Sequence, residues 1–479
     1  MATPPALGIG LTYHPPLEPF LESHSDLVDV LEIEPQTLWM PAAGDGKRFT
    51  TAAGAMERLA AFPQTKLVHS VGTPVGGSRL GDSRQFPLLR ETIARLGSPW
   101  CSEHLSFSVA GSRDEPFFAS FMLPPRQTQA GVERAATSVK QLSHELGAPF
   151  AIETGVSYLR PRPEEMRDGE FVAAVAEAAD CGVLLDVHNI WTNEQNGRQS
   201  VRSYLADLPL ERVWELHLAG GQEHAGYWLD AHSEGIPEAV LSIAAKVLRR
   251  TPNVGALIFE LMPEHIARLG DDGIRRQAEA LHRLWDTRHR RRTNNAAPRV
   301  KPALADRTPE PDPTGIDPRS WEDTLGALAI GRDVEGRLAE ELEADPGLEI
   351  VRDLVSVARA GMLTASLKLT MRLLLLQLGE QRVREIMEAF WKQTAPEPFA
   401  GDEGLAFADY LHSRELAPPH LEDVLSFEVA VLRAAISGET TRVHFHADPG
   451  ELLGALAEGR LPTSTRHEYD LEISGKSVG

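Results

Sequence analysis

Short apolar runs of strand length recur through the amino-terminal part of the chain. They are Gly8–Tyr13, Val28–Glu34, Leu67–Val71, Trp100–Phe107, Phe150–Thr154, Gly182–Asn189, Val213–Ala219 and Ala256–Leu261. Between most of them apolar positions return every three or four residues, as in Leu88–Leu96, Val132–Leu146, Phe171–Ala179, Pro237–Leu248 and Ile266–Leu284, the spacing of amphipathic helices. Near-continuous apolar strands alternating with helices imply parallel pairing with both sheet faces covered. Eight such units predict an α/β fold of the closed (β/α)8 TIM-barrel type. A doubly wound open sheet is the alternative, but no G-x-G-x-x-G follows the first strand to support a dinucleotide fold. Phe107–Phe118 interrupts the alternation: two β-like runs flank Gly111-Ser112, which predicts a hairpin at the barrel mouth after the fourth strand.

The pattern changes after Trp285. Arg288–Arg292 and the proline-rich Lys301–Pro318 lack apolar periodicity and read as a linker. From Trp321 to about Ser437 the periodicity is helical, with Leu363–Leu378, Gln381–Trp391, Leu405–Leu411 and Leu421–Ala435 as its clearest stretches. A β-like run, Thr441–His446, and a short helix, Pro449–Glu458, follow. The expected organisation is a barrel over 1–288, an Arg/Pro-rich linker over 289–319 and a mostly α-helical domain over 320–479.

Composition narrows the function classes. The net charge of −21 over 479 residues disfavours a nucleic-acid surface, which calls for a basic face. Cys101 and Cys181 are the two cysteines, too few for a disulfide framework. Met1–Gly10 lacks the basic and apolar segments of a signal peptide, and the greasiest run, Leu373–Leu376, is far short of the roughly 20 residues a membrane span needs. A cytoplasmic location and no membrane partner are therefore expected.

The candidate chemistry is concentrated at strand ends, where a parallel barrel carries its reactive groups. Asp186 and His188, Glu215 and His217, and Asp230 and His232 are three acid–histidine pairs, each two positions apart, so that on a strand both members share one facing. His69, His104, Glu153 and Glu260 stand at the ends of other strands, and Glu34 closes the second. Leaving so many carboxylates buried and unpaired would cost several kcal/mol each, whereas carboxylate and imidazole together form a ligand set for zinc, iron or manganese. The number of groups exceeds the four ligands of a structural zinc and points to two or three ions sharing bridging carboxylates.

The ordered series Gly8-Ile-Gly-Leu11, Leu31-Glu-Ile-Glu34, Val68-His-Ser-Val71, Ser102-Glu-His-Leu-Ser106, Ile152-Glu-Thr154, Leu185-Asp-Val-His-Asn189, Glu215-Leu-His-Leu-Ala-Gly220 and Asp230-Ala-His232 resembles the multinuclear non-haem iron-dependent oxidative enzymes, whose type member is the methanobactin-biosynthesis oxidase. The resemblance covers roughly residues 7–285 and implies a xylose-isomerase-like barrel with two or three iron ions (Fe2+/Fe3+) at its mouth. It implies an oxidoreductase that uses dioxygen as co-substrate to modify a ribosomally made precursor peptide at a cysteine or an acidic residue. The implied ligands are His69, His104, Glu153, Asp186, His217, Asp230, His232 and Glu260. His188-Asn189 stands where the family has two asparagines, and the shared facing with Asp186 favours His188 as a further ligand. Glu34, Glu215 and Asn189 are left as supporting or proton-accepting groups. Glu103, Glu34-Pro35 and Glu153-Thr154 also depart from the family pattern. In the second module, Leu378–Arg384, Phe407–Leu411 and Pro419–Glu428 look like the helical partner proteins of these oxidases. That likeness implies a fusion in which the module replaces a separate partner and recognises the precursor peptide. A homo-oligomer is compatible with this organisation.

Rival readings share the barrel. A metal-dependent hydrolase, specifically an abasic-site endonuclease, also needs clustered ions, and a sugar isomerase uses two.

Overall fold

The structure, a computed structural model, describes residues 3–41, 49–52, 54–112, 114–288, 315–414, 416, 418–437, 440–463 and 467–474. Eight strands close a parallel barrel: β1 (Gly8–Thr12), β2 (Val30–Ile33), β3 (Thr65–Ser70), β4 (Cys101–His104), β5 (Phe150–Glu153), β6 (Gly182–Asp186), β7 (Val213–Ala219) and β8 (Ala256–Glu260). Each neighbours the next in sequence, and β8 returns to β1. Almost every strand residue is buried, because helices such as Phe86–Leu96, Gln129–Leu146, Asp168–Ala179 and Glu238–Leu248 cover the outer face.

The floor of the barrel is packed with Val30, Leu67, Trp100, Ala151, Trp214, Ala256 and Ile258. Register slips once: Val183 pairs with Val213 but Leu184 pairs with Glu215. Trp214 is thus an extra residue, a bulge that lets its indole stay in the floor while Glu215 and His217 keep their phase. A side chain on Gly182 would meet the Trp214 ring at 2.3 Å.

Two expected boundaries move. The fourth run divides into β4 and the first strand of the antiparallel hairpin Phe107–Gly111/Pro116–Leu123, the excursion expected at the mouth. The sixth run ends at Asp186, where the chain turns into helix Val187–Gln195. Asp186 caps that helix by accepting the Asn189 N–H at 2.9 Å. His188 and Asn189 are helical, so strand alternation does not govern their facing.

The Arg/Pro-rich segment expected over 289–319 lies outside the described residues as far as 314. Beyond it Asp317 caps helix Pro318–Ala329, and the carboxyl-terminal region is helical apart from the antiparallel pair Thr441–Phe445 and Tyr469–Ile473. Its first part packs on the hairpin at the barrel mouth: Trp321, Leu325, Leu348 and Val351 share a core with Phe107, Ala119, Leu123 and Tyr158. A side chain on Gly347 would lie 2.1 Å from the Tyr158 carbonyl, so only glycine permits that approach. The distal helices hold a core of their own around Leu363, Phe390, Phe407 and Phe445, with a buried Arg359–Glu403 ion pair at 2.7 Å. Among the described residues no helix is long and apolar enough to cross a membrane.

Candidate metal centre

Glu153, Asp186 and Glu260 are the last residues of β5, β6 and β8, and His104 is the last of β4. His69 is one residue short of the end of β3, and His217 lies inside β7. Strand ends place these six in one ring because parallel strands of a barrel finish at one rim. Asp230 and His232 arrive from the loop that follows hairpin Gln222–His224/Tyr227–Leu229.

Their donor atoms form three contiguous groups among the described residues: His69, His104 and Glu153; Glu153, Asp186, His217 and Glu260; and Asp186, Asp230 and His232. Glu153 belongs to the first two groups and Asp186 to the last two. Glu153 Oε2 lies 3.1 Å from both His69 Nε2 and His104 Nε2. His217 Nδ1 lies 3.1 Å from Glu260 Oε1, and His232 Nε2 lies 3.0 Å from Asp230 Oδ1.

Several of these buried atoms make close approaches but no hydrogen bond of good geometry: Glu153 Oε2, Asp186 Oδ2, Glu260 Oε2, His217 Nδ1 and His232 Nε2. Orphaned donors and acceptors of this kind cost about 1–3 kcal/mol each, and their convergence fits a centre that takes cations. The outward ring atoms are held. His69 Nδ1 meets Ser102 Oγ at 2.9 Å, His104 Nδ1 meets Glu103 Oε1 at 3.2 Å, and His217 Nε2 lies 3.0 Å from Glu32 Oε2. Such partners orient a ligating imidazole.

The electrostatics agree. Burial alone lowers an imidazole pKa, but the carboxylates outweigh it. Glu153 and Glu32 push His69 up to about 10, and Glu153 pushes up His104. His217 is raised by Glu260 and Glu32, and His232 by Asp230 and Glu260. The acids divide. Burial, with Asp230 and Glu260 nearby, lifts Asp186 well above the carboxylate range. For Glu153 burial acts upward too, but His104 and His69 hold it below its ordinary value; His217 and His232 do the same for Glu260. The carboxylates thus favour positive charge at the ring nitrogens that line this centre.

A fourth group, Glu32, Glu215 and His217, lies toward the floor. Trp100 Nε1 donates to Glu215 Oε2 at 2.8 Å, and burial together with Glu32 pushes Glu215 up to about 8. Glu32 was missed by the sequence reading, which chose Glu34. The signal was present, since Glu32 lies inside an otherwise apolar strand run, where a buried carboxylate calls for a partner. Glu34 stands just past β2, where burial raises its pKa against the opposing pull of His69. Asn189 donates its side-chain N–H to the Thr154 carbonyl at 3.1 Å.

His188 is not among the grouped donors. Its Nδ1 lies 2.9 Å from Asp230 Oδ1 and its Nε2 accepts from Trp228 Nε1 at 3.1 Å. Both ring nitrogens are engaged, and the strand alternation expected to place it beside Asp186 does not apply, because the strand ends at Asp186 and His188 is helical.

Comparison with known proteins places the barrel. The family model for RiPP precursor modification enzymes MbnB/TglH/ChrH matches residues 6–262. A UPF0276 protein of Anaeromyxobacter sp. is 30% identical over 245 residues, 50% of this chain and 83% of that protein. A UPF0276 protein of Streptomyces avermitilis is 29% identical over 255 residues, 53% of this chain but only 50% of that protein. Among solved structures, D-psicose 3-epimerase from Clostridium cellulolyticum H10 is similar at 12% identity and a TM-score of 0.40, covering 59% of this chain and 99% of that one. The family match spans all eight strands and every residue of the three donor groups, and on it the chain belongs to the MbnB/TglH/ChrH family of RiPP precursor modification enzymes.

Proposed function

We propose that this enzyme oxidatively modifies a ribosomally made precursor peptide, at a cysteine or an acidic side chain, with two or three iron ions and dioxygen. The observation that carries the reading is the sharing of Glu153 and Asp186 between successive donor groups, since a carboxylate has an oxygen for each of two ions. His69, His104 and Glu153 would hold one ion; Glu153, Asp186, His217 and Glu260 a second; Asp186, Asp230 and His232 a third. Bound iron would supply coordination and deprotonation of a substrate thiolate or carboxylate together with one-electron chemistry toward dioxygen.

The chain's own residues do the rest. His104, Asp230 and His232 have side chains 18–21% exposed, whereas His69, His217 and Glu153 are almost fully enclosed. The substrate side chain therefore enters along that open edge, and the enclosed members keep bulk water from the far side. Glu34 is the acid we assign to accept a proton there. Glu215, held by Trp100, and Asn189, held on Thr154, brace the ligands. The carboxyl-terminal module, seated on the mouth hairpin through Trp321, takes the place of a separate partner protein and presents the precursor peptide.

The test is purification of the full chain from iron-supplemented cells without oxygen, followed by metal analysis and oxygen uptake with its precursor peptide. More than one iron per chain and uptake that requires peptide are expected. Stoichiometric zinc without iron, with cleavage of abasic DNA or turnover of an aldose, would overturn the proposal in favour of a hydrolase or an isomerase.

A further inference from the structure

We infer that His188 is a positioning residue: it coordinates no ion and fixes Asp230, as the middle of a relay from Trp228. This rests on the reading of the rim as a metal centre, but on nothing about peptide or dioxygen. The indole N–H of Trp228 can only donate, so His188 Nε2, 3.1 Å away, must offer its lone pair to that N–H. That lone pair is then spent. A neutral imidazole that accepts at Nε2 carries its proton on Nδ1, and Nδ1 lies 2.9 Å from Asp230 Oδ1. His188 thus donates to the acid that shares a donor group with Asp186 and His232.

The surroundings are built to keep this geometry. The His188 side chain has no exposure, and Trp191 packs against its ring at a centroid distance of 5.9 Å. Asn196, just past the same helix, clasps the hairpin by donating to the Trp228 carbonyl and accepting the Trp228 N–H, at 2.9 and 2.8 Å. Gly221 leaves the necessary room: a side chain there would lie 2.6 Å from Trp228 Nε1 and 2.9 Å from His188 Nε2. The helix that begins at Val187 and the hairpin that ends at Leu229 are thereby locked together, and Asp230 follows directly on that lock.

The experiment titrates metal-free, full-length protein with Fe(II) in the absence of oxygen and peptide, reading ions bound per chain and the affinity of the weakest. His188→Leu removes the donor and should weaken one ion about 10–100-fold, the usual effect of losing a ligand's orienting partner. His188→Asn places an amide N–H near the position of Nδ1 and should restore that ion to within about threefold. Trp228→Phe leaves His188 and every ligand intact yet frees the tautomer, and should weaken the same ion about 3–10-fold. The control Asp230→Asn should lose it. Loss of an ion in His188→Asn matching that in Asp230→Asn would make His188 a ligand and overturn the inference; so would unchanged affinity in Trp228→Phe. Melting curves of the metal-free variants identify any that misfold, and Trp228→Phe decides the matter if His188→Leu is one of them. Wild-type protein that binds iron in this pattern yet leaves its peptide unchanged would sink the proposed function and leave the relay standing.

Discussion

Glu153 and Asp186 each stand between two groups of donors, so their loss differs in kind from that of a peripheral ligand. Glu153→Gln or Asp186→Asn should remove two of the bound ions, whereas His104→Ala should remove one; metal counting on the purified variants checks this. Protonation gives a second residue-scale expectation. His69 is pushed up to about 10 by Glu153 and Glu32, and His104, His217 and His232 are raised by their carboxylate neighbours, which favours the imidazolium form, whereas a ligating imidazole must be neutral. Metal addition at pH 7 should therefore release protons, measurable in weakly buffered solution, and affinity should fall as pH falls. Proton release near zero would contradict the paired imidazolium state. At this scale the sequence was informative wherever a polar residue ended an apolar strand, as Glu153 and Glu260 do. At His188 the two-residue spacing carries no facing, because the strand ends at Asp186 and a helix begins at Val187.

At the scale of elements, the hairpin that delivers Asp230 depends on close backbone approach. Gly221→Ala would bring its methyl to 2.2 Å from the Leu229 carbonyl, a contact that must be relieved by moving the hairpin. We expect reduced binding of the outermost ion with little change in overall melting, because the first hairpin strand is exposed and Leu229 is the one buried residue of the second. Iron titration alongside thermal melting separates the two effects. The hairpin after β4 was legible from Gly111-Ser112, whereas the one holding Trp228 was not: Gln222–His224 is polar and Tyr227–Leu229 is too short to show an alternating run. Nor could sequence show the bulge at Trp214, since bulges answer to the partner strand rather than to their own residues.

At the scale of the molecule, one acid reports on the contact between module and barrel. Glu322 is 1% exposed and its Oε1 accepts the Ser78 N–H and hydroxyl at 2.8 and 2.9 Å, while Oε2 is buried without a partner. Burial pushes its pKa up to about 7, against those hydrogen bonds. An acid raised on folding binds more protons folded than unfolded between its ordinary value and about 7, so stability falls as pH rises across that window and levels off above it. At about 1.4 kcal/mol per unit, the change is at most roughly 3 kcal/mol. Glu322→Gln should flatten that part of the melting profile relative to wild type, and an unchanged difference between pH 5 and 8 would refute it. Trp321, 2% exposed with its Nε1 donating to the Pro124 carbonyl at 2.9 Å, anchors the same contact. Trp321→Ala should cost about 3–5 kcal/mol, visible as earlier melting and faster proteolysis at the mouth hairpin.

Periodicity by itself determined the barrel, because strands buried on both sides must be apolar throughout and helices covering them must repeat every 3.6 residues. It determined most of the rim as well, since parallel closure sends every strand end to one place. Tertiary structure alone decided how the rim is used. Which ring nitrogen of each histidine faces inward, that Glu32 rather than Glu34 holds His217, and that the helical module sits on the mouth all depend on distances between residues remote in the chain. Facing along a strand is a local property; partnership across a barrel is not. Such partnerships are set by how helices, bulges and close-approach glycines pack.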